Sequence, residues 1–233
     1  MTRLPHGVPL RSAELHAAWE PTKRQLVRED RENDLRVRVH RACKALELAE
    51  RLDADGERGT EDAALVFRWV ALNALYGRWD EASGMPTKDR TALDEFTSEC
   101  VRHDRERMGA ALEPVLELGR ELVESSFLHA RFWQDGEWDA VRPRKGKGRQ
   151  LLEAKREGRY GAALHQVLIV AYFLRCQIVH GGATLGSEVN RVTVVPAAEV
   201  LRLVVPQLTA IVIEHGLDMA WGEICYPPVR VAD

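Results

Sequence analysis

Apolar positions recur along most of this chain at intervals of three and four, the period of an amphipathic helix. Between about residues 32 and 52, Leu35, Val39, Ala42, Leu46 and Ala49 form one stripe with charges elsewhere, which predicts a helix with one buried face. Residues 53–59 read as a turn. Thr60 is then the expected N-cap of a second helix, with Glu61 and Asp62 in the first turn, where acids complement the helix dipole. That helix, residues 63–79, is apolar around most of its circumference and is expected at the centre of the fold. Gly84, Pro86 and Thr87 mark a loop. Residues 89–105 and 108–125 read as charged outer helices. A short helix at about 151–157 and a long, mostly buried one at 161–180 follow. Residues 190–196 read as a short extended piece, and 197–215 as a helix that Pro206 is expected to kink or divide. The pattern predicts an all-α fold, a helical bundle with additional peripheral helices. Residues 30–216 would form the domain, with an N-terminal arm at 1–29 and a tail at 217–233.

Composition changes this picture little. With 233 residues, 45% hydrophobic and 30% charged, the chain is long enough for a sizeable core. The net charge of −3 gives no global basic field, so nucleic-acid binding would have to be local. Its one basic concentration is the run 142–149, within the least patterned stretch (about 134–149). There Arg142, Arg144, Lys145, Lys147 and Arg149 stand with no acid and no apolar anchor, as a solvated loop or as phosphate contacts. Cys43, Cys100, Cys176 and Cys225 lie far apart with no CxxC pair, which argues against a zinc site or a disulfide framework and suits a reducing cytosol. His40, His103, His129, His165 and His215 show no metal-ligand spacing. No apolar leader and no run of about 18 uninterrupted apolar residues is present. The reading is cytoplasmic, without membrane, metal or cofactor.

The chemistry-bearing feature is Arg175 with His180, at the end of an apolar helical run that stops at Gly181-Gly182. An Arg-x4-His pair arises about once by chance in such a chain, and Arg11 with His16 is a second instance, read as noise in the polar arm. Only the later pair has apolar neighbours on both sides, and arginine is rarely buried without a partner or a task. The glycines put His180 beside the negative end of the helix dipole, which favours imidazolium. Five helical positions turn the pair by about 140°, so the long arginine stem must swing toward the last turn. Cys176 and Gln177 precede His180 by four and three residues, on its own face. Gln177 can hydrogen-bond the ring and orient it, whereas a thiol does so only weakly. The bland alternative is an arginine that caps carbonyls and a histidine that closes a helix.

Leu174-Arg-Cys-Gln-Ile-Val-His-Gly-Gly182 resembles the R-x4–6-H signature of the HEPN superfamily. The helix from Phe67 to Tyr76 (Phe-Arg-Trp-Val-Ala-Leu-Asn-Ala-Leu-Tyr) is similar to that of its Apea-like branch. The resemblance implies a helical bundle that forms a homodimer, with the Arg/His helices facing each other across a two-fold axis. It also implies metal-independent endoribonuclease activity in defence or stress. Arg175 would bind the scissile phosphate. His180 would act as general acid/base for attack by the RNA 2′-OH, leaving a 2′,3′-cyclic phosphate. Asn73 falls where relatives carry a polar residue in that helix, as a pocket residue or a satisfied core amide. The chain departs from the pattern at Cys176, where asparagine is frequent. The implied alternatives are a catalytically inactive HEPN module for dimerisation or for RNA or nucleotide binding, and an adaptor for an operon-encoded partner or antitoxin.

Overall fold

The computed structural model describes residues 3–29, 34–129, 144–188 and 191–227, and the fold within them is all-α. The element order is α1 (Ser12–Arg28), α2 (Asp34–Asp55), α3 (Thr60–Tyr76), a hairpin of β1 (Trp79–Asp80) and β2 (Met85–Pro86), α4 (Asp89–His103), α5 (Arg105–Leu112), α6 (Leu116–Glu124), α7 (Lys145–Arg156), α8 (Tyr160–Val179) and α9 (Arg191–His215). The hairpin is antiparallel, with Trp79 opposite Pro86 and Asp80 opposite Met85. Short 3₁₀ turns follow α5, at Pro114, and α6, at Ser126–Leu128.

The α2 stripe packs as its spacing predicts, with Leu35, Val39, Ala42, Leu46 and Ala49 all in the core. α3 lies centrally against α2 and α9, and Leu65, Trp69, Leu72 and Leu75 are fully buried. A fully buried leucine contributes ~1.5–3 kcal/mol, so this helix alone anchors much of the core. α8 and α9 are long and apolar enough to cross a membrane by length and composition. In this fold 50% and 72% of their apolar windows are buried, the placement of core helices.

The residues before 30 carry α1, whose Leu15, Trp19 and Leu26 sit in the same core. Beyond 216, Met219 and Ile224 are buried, and Arg78 bridges Ile224. Arg38 anchors this segment. It is 1% exposed, and its guanidinium donates to the carbonyls of Leu75 (3.1 Å), Gly77 (2.7 Å) and Gly222 (3.0 Å) over the Trp221 ring. Burial lowers it to about 10.

Five expectations change. Residues 191–196 are helical, not extended, and α9 runs without a break through Pro196 and Pro206. Thr193, Val194, Ala197, Ala198, Leu201, Val204 and Val205 fall at helical spacing and are buried, so packing outweighs the strand preference of the valines. The end of the basic run is helix, not loop, because α7 begins at Lys145. α7 buries Gly148, Leu151 and Ala154 at helical spacing, with Gly148 against the Glu124 and Arg120 side chains of α6. The central helix stops at Tyr76, and Gly59, at φ +96°, takes the N-cap position expected of Thr60.

Candidate functional site

α8 ends as its glycines predict. Gly181 is left-handed (φ +73°), and the last carbonyls are taken by the N–H groups of His180 (to Cys176 O, 3.0 Å), Gly181 (to Ile178 O, 3.2 Å) and Ala183 (to Gln177 O, 3.0 Å). The loop beyond is fastened to the start of α3. Arg58 Nε donates to Gly186 O (2.7 Å), Gly186 N–H to Asp62 Oδ2 (3.3 Å) and Arg191 Nε to Ser187 O (3.2 Å), while the Arg191 guanidinium pairs with Asp62. Asp62 is fully buried. The backbone that presents His180 is therefore held from both sides.

His180 is exposed, and its ring makes no hydrogen bond or ion pair within the described residues. Arg175, expected to be buried, is only half-buried; the buried arginines among the described residues are Arg38, Arg68 and Arg107. Arg175 Nη1 stands 3.7 Å from Cys176 Sγ and reaches no carboxylate among the described residues. No bond joins it to His180, as their placement about 140° apart around the helix requires. Trp69, Asn73 and Tyr76 fall at i, i+4 and i+7 on α3, and this face meets α8 through Trp69 and Tyr172, with ring centroids 5.6 Å apart. Asn73 thus sits on the α8-facing side of α3, half-buried.

Tyr76 donates to Asp89 Oδ1 at 3.0 Å. Burial, then the Asp89 carboxylate, drive the Tyr76 hydroxyl far above its ordinary value, and the Arg175 charge opposes them. Burial, then Cys176 and Asp89, raise Tyr172, again against Arg175. Both phenols stay protonated near neutral pH, so neither serves as a general base.

Gln177 turns away from the histidine. Its Nε2 donates to Phe127 O at 2.9 Å, so it does not orient the ring. Arg144 N–H donates to Glu124 O at 2.7 Å, three residues before Phe127. Glu124 and Phe127 thereby tie the start of α7 to the same end of α8 as His180. Lys145, Lys147 and Arg149 are exposed there, whereas Arg142 lies outside the described residues.

A second polar constellation carried little sequence signal. Arg107, fully buried, donates to Gln207 Oε1 (3.0 Å), to both oxygens of Glu214 (3.0 and 3.1 Å) and to the carbonyls of Leu4 and Pro5 (2.9 and 3.0 Å). Asp104 joins it at 3.4 Å. Asp104, Glu214 and His215 stand close enough together to share a metal ion. Arg107 already neutralises both carboxylates, so the set is an ion-pair network that docks the N-terminal segment. Gln207 and Glu214, polar residues inside the apolar α9 run, were its one legible trace.

Comparison with family models, with curated proteins and with solved structures finds no match in any of the three.

Proposed function

We propose that this chain is a HEPN-type, metal-independent endoribonuclease that works as a homodimer. The observation that carries the reading is that Arg175 and His180 both stand in the last turns of a core helix without a carboxylate partner among the described residues. A guanidinium and an imidazole left free in this way are equipped to take a phosphodiester. Arg175 binds the non-bridging oxygens and stabilises the charge that builds on phosphorus. His180 removes the proton of the RNA 2′-OH as that oxygen attacks the adjacent phosphorus. The 5′-oxygen bond breaks, a proton returns to the leaving oxygen, and a 2′,3′-cyclic phosphate remains.

Within one chain the two side chains point to different sides of α8, so the site is completed by a second copy facing the first. Val179, Leu185, Val192 and Val195, all exposed near this end of α8 and the start of α9, supply apolar surface for that pairing. The basic start of α7, tied to the same end, supplies cations along an RNA path. We place the enzyme in the cytoplasm, in defence or stress response, with an operon-encoded partner or antitoxin as its control.

The second reading, an inactive HEPN module for dimerisation or for RNA or nucleotide binding, is favoured by one observation. Cys176 and Gln177, the neighbours placed to orient His180, leave its ring unsupported. The test is incubation of the pure protein with mixed RNA in EDTA beside Arg175→Ala and His180→Ala. Cutting by wild type alone is the expected result. Equal cutting by all three sinks the mechanism, and no cutting points to the inactive module.

A further inference from the structure

A ladder of flat groups runs from the core to the surface beside the proposed site. Trp69, fully buried, packs on Tyr172 at 5.6 Å between centroids; Tyr172 packs on Phe173 at 5.6 Å; and the Arg90 guanidinium lies over the Phe173 ring at 5.6 Å. Arg90 is exposed, and its side chain pairs with no carboxylate among the described residues. Most arginines with a resolved partner here sit on a glutamate or aspartate; Arg90 over Phe173, Arg105 over Tyr160 and Arg38 over Trp221 lie on rings instead.

Phe173 and His180 are seven residues apart, which returns them to nearly the same side of α8, about 10 Å apart along its axis. Phe173, Cys176 and His180 form one outward stripe at i, i+3 and i+7. A base stacks well on an arginine plane as well as on an aromatic ring. A plane held from behind by three packed rings loses little freedom on binding. Arg105 over Tyr160 stands at the far end of α8, about 30 Å from His180 along the axis, so Arg90 is the exposed, ring-backed cation on the side and at the end of α8 where His180 stands.

Resting on the ribonuclease reading, we propose that Arg90, backed by Phe173, is a specificity-determining platform on which an unpaired base of the RNA stacks, one or two nucleotides from the ribose at His180, which shares the Phe173 side of α8. A base inside a duplex is already covered on both faces, so the platform selects single-stranded segments.

The test uses the full chain and a fluorescein-labelled, fully 2′-O-methylated RNA 12-mer of mixed sequence, which this chemistry cannot cut, single-stranded or annealed to its complement. Fluorescence anisotropy is expected to show tighter binding of the single strand. Arg90→Lys keeps the charge and loses the plane, and is expected to weaken single-strand binding by about tenfold, the loss typical of one stacked base. Duplex binding and the salt dependence should not change. Phe173→Leu, which retains apolar packing on α4, is expected to give a similar loss. Wild-type affinity in Arg90→Lys, or equal binding of duplex and single strand, overturns the platform. No binding of either RNA by wild type overturns it together with the function proposed above. Single-strand binding that drops in Arg90→Lys, from a protein that cuts no natural RNA, removes the nuclease and leaves the platform standing.

Discussion

Arg175 Nη1 stands 3.7 Å from the sulfur of Cys176, its neighbour in sequence, and this is the one polar contact its guanidinium makes within the described residues. Sulfur is a weak acceptor and the thiol a weak donor, so neither Arg175 nor His180 is firmly oriented by it. Cys176→Asn places an amide with both donor and acceptor one turn before His180. It is expected to raise the rate of RNA cleavage several-fold while leaving substrate affinity unchanged. A single-turnover time course separates the two.

Because neither group has a carboxylate partner to lose, and the one contact of Arg175 is to a weakly accepting sulfur, Arg175→Ala and His180→Ala are expected to unfold within about 1 kcal/mol of wild type. Loss of cleavage with an unchanged urea midpoint is the expected pair of results. A large shift in the midpoint for either variant would show a structural role that the free side chains do not suggest.

The parts of this fold that were legible in the sequence are those where periodicity and burial agree. The α2 stripe, the apolar α3 helix and the glycine stop after His180 all follow from side-chain spacing alone. Where packing works through something absent, spacing is blind. Gly148 offers no apolar side chain, yet it lies on the buried face of α7 against Glu124 and Arg120 of α6. Residues 191–196 read as strand because valine prefers a pleated surface, and tertiary burial overrules that preference. At the candidate site, the order Arg–Cys–Gln–His was visible. Gln177's turn toward Phe127 depends on a carbonyl 50 residues earlier, which no local pattern encodes.

Arg107 holds Glu214, Gln207 and two N-terminal carbonyls from a position with no exposure. Removing one partner of such a buried pair leaves an uncompensated charge, at a cost of about 3–5 kcal/mol. Arg107→Met strips both Glu214 and Asp104 of their buried cation and is expected to lower stability by that order in urea denaturation. Glu214→Gln leaves Arg107 paired with Asp104 and is expected to cost less.

Asp104 gives the fold a pH dependence at the acid end. Burial pushes its carboxyl up, but the Arg107 N–H bond and the nearby charges of His6, Arg107 and Arg3 outweigh that, and the net position is below the ordinary 3.8. The unfolded chain therefore takes up this proton first as pH falls. The stabilisation is complete above 3.8 and is lost as pH drops from there through the lower folded value. Asp104→Asn is expected to be less stable than wild type at pH 7 and to converge on it as pH falls below the lowered folded value. Stability curves for both proteins that stay parallel down to that pH would show that Asp104 does not titrate in this way.

The two glycines after His180 look alike in sequence and differ in what they can accept. Gly181 sits at φ +73° with nothing within 4 Å of a Cβ, so Gly181→Ala meets no clash and pays only for a left-handed backbone. That conformation costs an L-residue about 1–2 kcal/mol. Gly182 lies outside the left-handed region, and its Cβ would reach Gln177 O at 3.4 Å, so Gly182→Ala is expected to be close to neutral. The loop beyond cannot absorb the strain, because Arg58, Asp62 and Arg191 hold it to α3. The strain therefore falls on the last turn of α8, and His180 moves with it. Gly181→Ala is expected to lower both the denaturation midpoint and the cleavage rate. Gly181→Asn should lose less of each, since asparagine visits the left-handed region more readily. Equal behaviour of Gly181→Ala and Gly182→Ala would show that the backbone at 181 does not set the position of His180.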